Sequence, residues 1–204
     1  MTTTYFIRHG QSTMNQRPEL VGGRSNHAPL SEQGSREAIA AGLWLRREGI
    51  RPVRALSSGA VRADMTGSLA LDAAGLRLPL ERDQRLQEMS QGQFEGKPRV
   101  NIYTPEMVAR LERAGLSGSL PGGESILDVQ LRMLELLDEL HRDTDGVVLI
   151  FGHGLAIRAL AGKIDALTKA QILQLETDNV SATRIDSTNG SHSVAYVGKN
   201  VIDA

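Results

Sequence analysis

Two short stretches of the chain place a histidine between glycine and the end of an apolar run: Phe6-Ile7-Arg8-His9-Gly10 and Ile150-Phe151-Gly152-His153-Gly154. A neutral imidazole nitrogen is a nucleophile able to split a group transfer into two easier steps. Arg8, beside the first histidine, carries a planar, permanently charged fork that matches phosphate oxygens. Arg62 stands just after Ser57-Ser58-Gly59, where a helix-periodic segment opens. Glycine lets a backbone approach a ligand closely, and successive N–H groups there can hold an anion. Two arginines and two histidines in such turns make a site for a dianion, with phosphate the obvious candidate. Taken singly, a histidine beside glycine or an arginine at a helix start is more often structural. The joint placement carries the argument.

These residues act together only if the elements that bear them end at one edge. Tyr5–Ile7, Ala55–Ser57 and Val147–Phe151 read as strands, each running into a glycine turn. Leu78–Glu81, interrupted by Pro79, is a further short strand. Val180–Ile185 and Ser193–Val197 close the chain as strands around a Ser187–Gly190 turn. Helical spacing runs from about Glu32 behind a Ser31 cap to Gly49, from Val61 to Gly75, and from Pro105 behind Thr104 to Ala114. It returns from Ile126 to Leu140, and from Gly154 to about Gly162. Gln84–Pro98 has no periodicity and reads as a loop. Strand and helix alternate without a linker, which predicts one α/β domain over residues 1–204, a three-layer α/β/α sandwich with a mostly parallel central sheet. In such sheets ligands bind beyond the carboxyl ends of the strands, where His9 and His153 both fall.

Composition narrows the function classes. The 204 residues are 40% hydrophobic and 23% charged, an ordinary globular balance. Net charge is −1 with no basic block, and aromatics are 3%, so neither the cationic stripe nor the stacking platforms of a nucleic-acid binder are present. No cysteine occurs, which removes thiolate chemistry and cysteine-ligated metal. No apolar stretch is long enough to span a bilayer and no leader pattern opens the chain, so a cytoplasmic protein without membrane contact is expected. His27, His141 and His192 match no pattern and are expected at the surface, and Trp44 within the core.

The segment Phe6-Ile7-Arg8-His9-Gly10-Gln11-Ser12-Thr13-Met14-Asn15 resembles the Arg-His-Gly signature of the histidine phosphatase superfamily, the phosphoglycerate-mutase-like family. Pro29–Gly34, Ser57–Ala63, Leu86-Gln87-Glu88 with Gly92 and Gly96, Pro121–Ser125 and Phe151–Gly154 resemble its later blocks in the right order. The first three residues alone would recur by chance; the ordered series is specific and covers nearly the whole chain. The resemblance implies that His9 accepts the phosphoryl group and that Arg8, Arg62 and His153 hold its oxygens. It implies that Glu88 protonates the leaving alcohol and then activates water. Apolar surroundings or a nearby anionic substrate would favour the protonated acid. Ser12, Asn15, Val21 and Gly22 match positions near the phosphate or substrate, while Gly10 and Gly154 serve by letting the backbone approach. With this many fixed cations, neither a metal nor another cofactor is required.

The family divides between phosphatases, which pass the phosphoryl group to water, and mutases, which return it to the substrate. Three departures favour a phosphatase acting on a small phosphorylated metabolite. No adjacent arginine pair lies between Gly96 and Gly122, since Arg99, Arg110 and Arg113 stand apart; Gln91 stands where the mutases carry tyrosine; and the chain is shorter than those mutases. The alternatives are a cofactor-dependent phosphoglycerate mutase, and a phosphate- or partner-binding protein of this fold with little catalysis. Residues 87–122 are expected to cover the substrate, with no charge signature among Met89, Gln91, Phe94, Met107 and Leu111. A homodimer is left open, as dimers are common among soluble enzymes.

Overall fold

The hydrophobic pattern is satisfied by a six-stranded sheet. A computed structural model of the chain describes residues 1–202, so the last two residues of the expected domain lie outside the described residues. The strands are β1 (Thr2–Arg8), β2 (Pro52–Ser57), β3 (Leu80–Arg82), β4 (Gly146–Gly152), β5 (Ala182–Thr188) and β6 (Ser191–Lys199), in the spatial order β3-β2-β4-β1-β5-β6. Only β5 runs against the rest, because it pairs antiparallel with both β1 and β6.

Side chains of the central strands alternate between two cores, as the pleat requires. On one face Ile7, Leu149 and Phe151 pack on α1 (Glu32–Arg47) and α2 (Val61–Ala74). On the other, Phe6, Val148 and Ile150 pack on α5 (Ile126–Asp143), α6 (Gly154–Ile164) and Ile172 of α7 (Lys169–Gln174). The three layers are those expected. Trp44 is buried at 2% exposure and meets Tyr5 edge-on at 6.2 Å. None of the helices among the described residues is long and apolar enough to cross a membrane.

Capping chemistry sets the helix starts. Ser31 accepts from the Gly34 N–H, Thr104 from Met107 ahead of α4 (Pro105–Arg113), and Ser125 forms a reciprocal box with Asp128. Three boundaries differ from the sequence reading. Helices α3 (Arg99–Ile102) and α7 were not anticipated, although Thr168 and Gln171 form a capping box that signals the second. Strand β5 begins at Ala182 because Val180 has φ +53° and its N–H bonds the Arg8 carbonyl, ending β1 rather than starting a ladder. The last hairpin turns on Asn189-Gly190 alone, both at positive φ, as a two-residue turn demands. The expectation of surface histidines fails for two of three. His141 and His192 are half-buried where α5 meets the β5–β6 hairpin, His192 bonding Asp138 and Ser187, and only His27 is exposed.

Gly42 and Gly67 explain how α1 and α2 come so close to each other and to the sheet. A Cβ on Gly42 would strike the Ala70 carbonyl oxygen and lie 2.7 Å from Ala73 Cβ; one on Gly67 would lie 2.8 Å from Leu80 and 3.0 Å from Phe151. Helix propensity alone predicts that Gly42→Ala stabilises by about 1 kcal/mol. The collision with backbone should outweigh it, at about 1–3 kcal/mol. Thermal unfolding of Gly42→Ala is expected to show a lower midpoint than the unsubstituted protein.

Candidate active site

The parallel register of β1, β4 and β2 decides where the chemistry sits. Ile7 pairs with Phe151, Arg8 with Gly152, and Ser57 with Phe151, so the three strands end level at one edge. The His9 N–H bonds the Gly152 carbonyl and the Ser58 N–H the Phe151 carbonyl, which seats His9, His153 and Ser58 side by side. The rings of His9 and His153 lie 5.1 Å apart, edge to face. They come from positions 144 residues apart in sequence.

Arg62, on the first turn of α2, threads between them. It is 4% exposed, His9 is 4% and His153 is fully buried. Arg62 Nε donates to His9 Nε2 at 3.1 Å and Nη2 to His153 Nδ1 at 3.2 Å. Nη1 and Nη2 also donate to the carbonyls of Ser25 (2.9 Å) and Arg24 (2.8 Å). These bonds fix the tautomers, since a guanidinium only donates and a carbonyl only accepts. His9 Nδ1 lies 2.7 Å from the Gly10 carbonyl, so Nδ1 carries the proton and Nε2 the lone pair. His153 has the reverse arrangement, with Nε2–H directed at Ser58 Oγ at 2.8 Å. Burial, then the positive charge of Arg62, pushes both imidazoles well below the ordinary histidine range. Arg62 itself is lowered to about 10, chiefly by burial, with Glu88 opposing the shift.

Arg8 donates through Nη1 to the Thr177 carbonyl at 2.6 Å and holds its Nε buried without a partner; burial lowers its pKa. Glu88 closes the site. Its Oε1 accepts from the N–H groups of Met89 (2.9 Å) and Ala156 (3.1 Å), and its Oε2 from Leu155 (3.1 Å). Two of these donors belong to the first turn of α6, where the helix dipole also favours an acid. The surroundings of the carboxylate are therefore backbone donors rather than apolar side chains. Arg132 of α5 anchors the Glu88 loop through the carbonyls of Arg85 and Glu88.

The remaining predicted residues fall into place less directly. Ser12 donates both its N–H and its hydroxyl to Asn15 Oδ1 (2.9 Å each), and the amide NH2 of Asn15 takes no part in that exchange. The Gly10 N–H is spent on Thr66 Oγ1, and Gly10 makes its close approach to the Gly34 carbonyl rather than to an open site. Gly154 sits against Arg8, where a Cβ would lie 3.3 Å from Nε. Val21 and Gly22 border a cavity of about 400 Å³ beside Glu88, with Met89, Tyr103 and Leu111 from the segment expected to cover the site. The sequence reading missed Ser58, Thr66, Thr177 and Asn179, whose Nδ2 donates to the His9 carbonyl at 2.8 Å. It also missed Glu95, which accepts from the N–H groups of Arg24, Ser25 and Gln91 and so shapes the loop whose carbonyls hold Arg62. Only Ser58 lay inside a quoted motif. Among the described residues no group of three or more His, Asp or Glu could hold a metal ion.

A family model described as histidine phosphatase superfamily (branch 1) matches residues 4–200. The chain belongs to that superfamily. A histidine phosphatase superfamily enzyme is what the geometry around His9 and the comparisons support together. A 2,3-bisphosphoglycerate-dependent phosphoglycerate mutase of Methylobacterium radiotolerans is 35% identical over 199 residues, covering 93% of each chain. The protein of the same name from Rhizobium meliloti is 37% identical over 179 residues, covering 85% of this chain and 84% of that one. Among solved structures, Bacillus stearothermophilus YhfR superposes with a TM-score of 0.86 at 26% identity, covering 99% of this chain and all of that one. A mycobacterial glucosyl-3-phosphoglycerate phosphatase superposes with a TM-score of 0.83 at 25% identity, covering 97% and 99%.

Two of the departures set against a mutase lose force. The Methylobacterium radiotolerans relative, named as a mutase, matches over 93% of its own length, so short length does not separate the two activities. Tyr103 bonds Gln91 Oε1 at 2.9 Å, which brings a phenol to the wall where position 91 itself has none.

The two histidines make stability depend on pH. In the unfolded chain each imidazole titrates at ~6.5; in the fold both stay neutral to well below that. As pH falls below ~6.5 the unfolded chain takes up protons that the folded site refuses, so stability must fall. The unfolding free energy of a His9→Gln/His153→Gln double variant is expected to decline less steeply between pH 6.5 and pH 5 than that of the unsubstituted protein.

Proposed function

We propose that the protein is a phosphomonoester hydrolase acting through a phosphohistidine on His9. The observation that carries this reading is the lone pair of His9 Nε2, aimed by the Gly10 carbonyl at the guanidinium of Arg62. An arriving phosphomonoester exchanges its oxygens for that N–H contact, which leaves Nε2 facing phosphorus. The P–O bond to the leaving group breaks as the N–P bond forms, and Glu88 gives its proton to the departing oxygen. Glu88, now a carboxylate, removes a proton from water, whose oxygen attacks phosphorus and frees His9. Arg8 and Arg62 neutralise the spread charge of a loose transition state, with the neutral His153 holding Arg62 in place, so the reaction proceeds without a metal. The absence of an adjacent arginine pair between Gly96 and Gly122 supports transfer to water.

A mutase reading stands beside it, favoured by the names of the relatives at 35% and 37% identity. The chemistry at His9 is common to both. Bisphosphoglycerate-dependent interconversion of phosphoglycerates, in preference to release of inorganic phosphate, would establish the mutase instead.

Hydrolysis of p-nitrophenyl phosphate in EDTA is expected to proceed, with an acid-labile phosphoprotein trapped on rapid quenching. His9→Ala should abolish both; unchanged turnover in that variant would refute the mechanism. Glu88→Gln is expected to lose about 10²–10⁴-fold in kcat on alkyl phosphates. The loss should be smaller on p-nitrophenyl phosphate, whose leaving group needs little protonation.

A further inference from the structure

A cavity of about 400 Å³ lies beside the loop that carries the acid: Met89 and Leu155 line it, while Glu88 itself lines the adjoining polar cleft. Leu155 borders both spaces and its N–H holds Glu88 Oε2, so a group leaving phosphorus on the Glu88 side has this cavity next to it. Much of the wall is apolar, with Met89, Leu111, Leu120 and Ile126 among its residues. The charge on the wall is one-sided. Arg99, Arg158 and Lys169 line it against a single carboxylate, Glu124. That carboxylate is already engaged by Arg132 (2.9 and 3.2 Å), by Arg24 at 3.3 Å and by the Ser90 N–H.

Arg158 and Lys169 are cations with donors to spare. Arg158 gives Nη1 to the carbonyls of Leu173 and Leu175, while its Nε is buried without a partner. Lys169 gives one N–H to the Leu111 carbonyl at 2.6 Å, and an ammonium has three. Arg158 also borders the neighbouring polar cleft that holds Arg8 and Glu88, so it stands between the phosphate end and the leaving-group end. Arg158 and Lys169 are half-buried, and an incoming anion would add charge-assisted hydrogen bonds to their unused donors.

We propose that the leaving group of the substrate carries an apolar stretch ending in a second anion, a carboxylate or a phosphate, received by Arg158 and Lys169. The inference rests on the reading of His9 as the phosphoryl site, and it changes the expectation of a covering segment without charge signature. The cations come from α6 and α7, outside that segment.

Calorimetric titration with non-hydrolysable phosphonates tests it without requiring turnover. Hexylphosphonate, 6-phosphonohexanoate and hexane-1,6-bisphosphonate share one body and differ at the far end. The anion-ended ligands are expected to bind at least about tenfold more tightly than hexylphosphonate, as charge-assisted hydrogen bonds predict. The tighter of the two identifies the second anion. Arg158→Gln and Lys169→Met should each reduce the ratio towards one. Because both ligands are titrated into the same sample, a partly unfolded fraction cancels from the ratio. Equal binding of all three ligands, or a ratio that survives both substitutions, overturns the inference alone. Failure to bind any phosphonate overturns the phosphoryl-site reading with it.

Discussion

The site depends on one buried cation. Arg62 is almost sealed from water, and a charge in that position costs several kcal/mol unless its donors are used. Here they are used in two directions at once: onto both catalytic-site imidazoles, and onto the carbonyls of Arg24 and Ser25. The same contacts that make the charge tolerable set the tautomers of His9 and His153. Each imidazole must present a lone pair to the guanidinium, so the tautomer of His9, with its Nε2 unprotonated, is set by the fold itself.

The rest of the structure holds the partners of that cation in place. Parallel pairing of β1 with β4 brings the two histidines level, and β2 delivers the turn that starts α2. Glu95 fastens the Arg24–Ser25 loop from outside by accepting three backbone N–H groups, and Gly23, at φ +60°, makes room for its carboxylate. The Thr66 hydroxyl donates to the Arg62 carbonyl and accepts from the Gly10 N–H, tying α2 to the first histidine turn. None of these residues would be chosen from its type, yet each fixes a group of the candidate site.

Glu88 shows the same division between chemistry and support. Its carboxylate is held by the N-terminal turn of α6, the helix that follows directly from His153, so the two side chains share one scaffold. Arg132 reaches across from α5 to hold the carbonyls on either side of the acid's loop. Two cations, Arg8 and Arg62, and the two neutral imidazoles thus converge at three strand ends, with Glu88 held beside them by the start of α6.

What the sequence determined by itself was which residues gather at the candidate site and the architecture that carries them. His9, His153, Arg8 and Arg62 follow strand-like runs that end in glycine turns, and periodicity with capping residues suffices to order the helices, because those signals act within a few residues. Even there, long-range contacts moved boundaries: Val180 left its strand to bond Arg8, and His192 left the surface to meet Asp138. The tertiary structure alone decided which imidazole nitrogen carries the proton, that Glu88 rests on backbone donors, and that Arg158 and Lys169 line the cavity of about 400 Å³. Each of those outcomes depends on a partner distant in sequence, 53 residues away for Arg62 and His9 and 68 for Ala156 and Glu88. A hydrogen-bond partner or a buried charge is defined by what folding brings alongside it, and no local pattern of residue types contains that information.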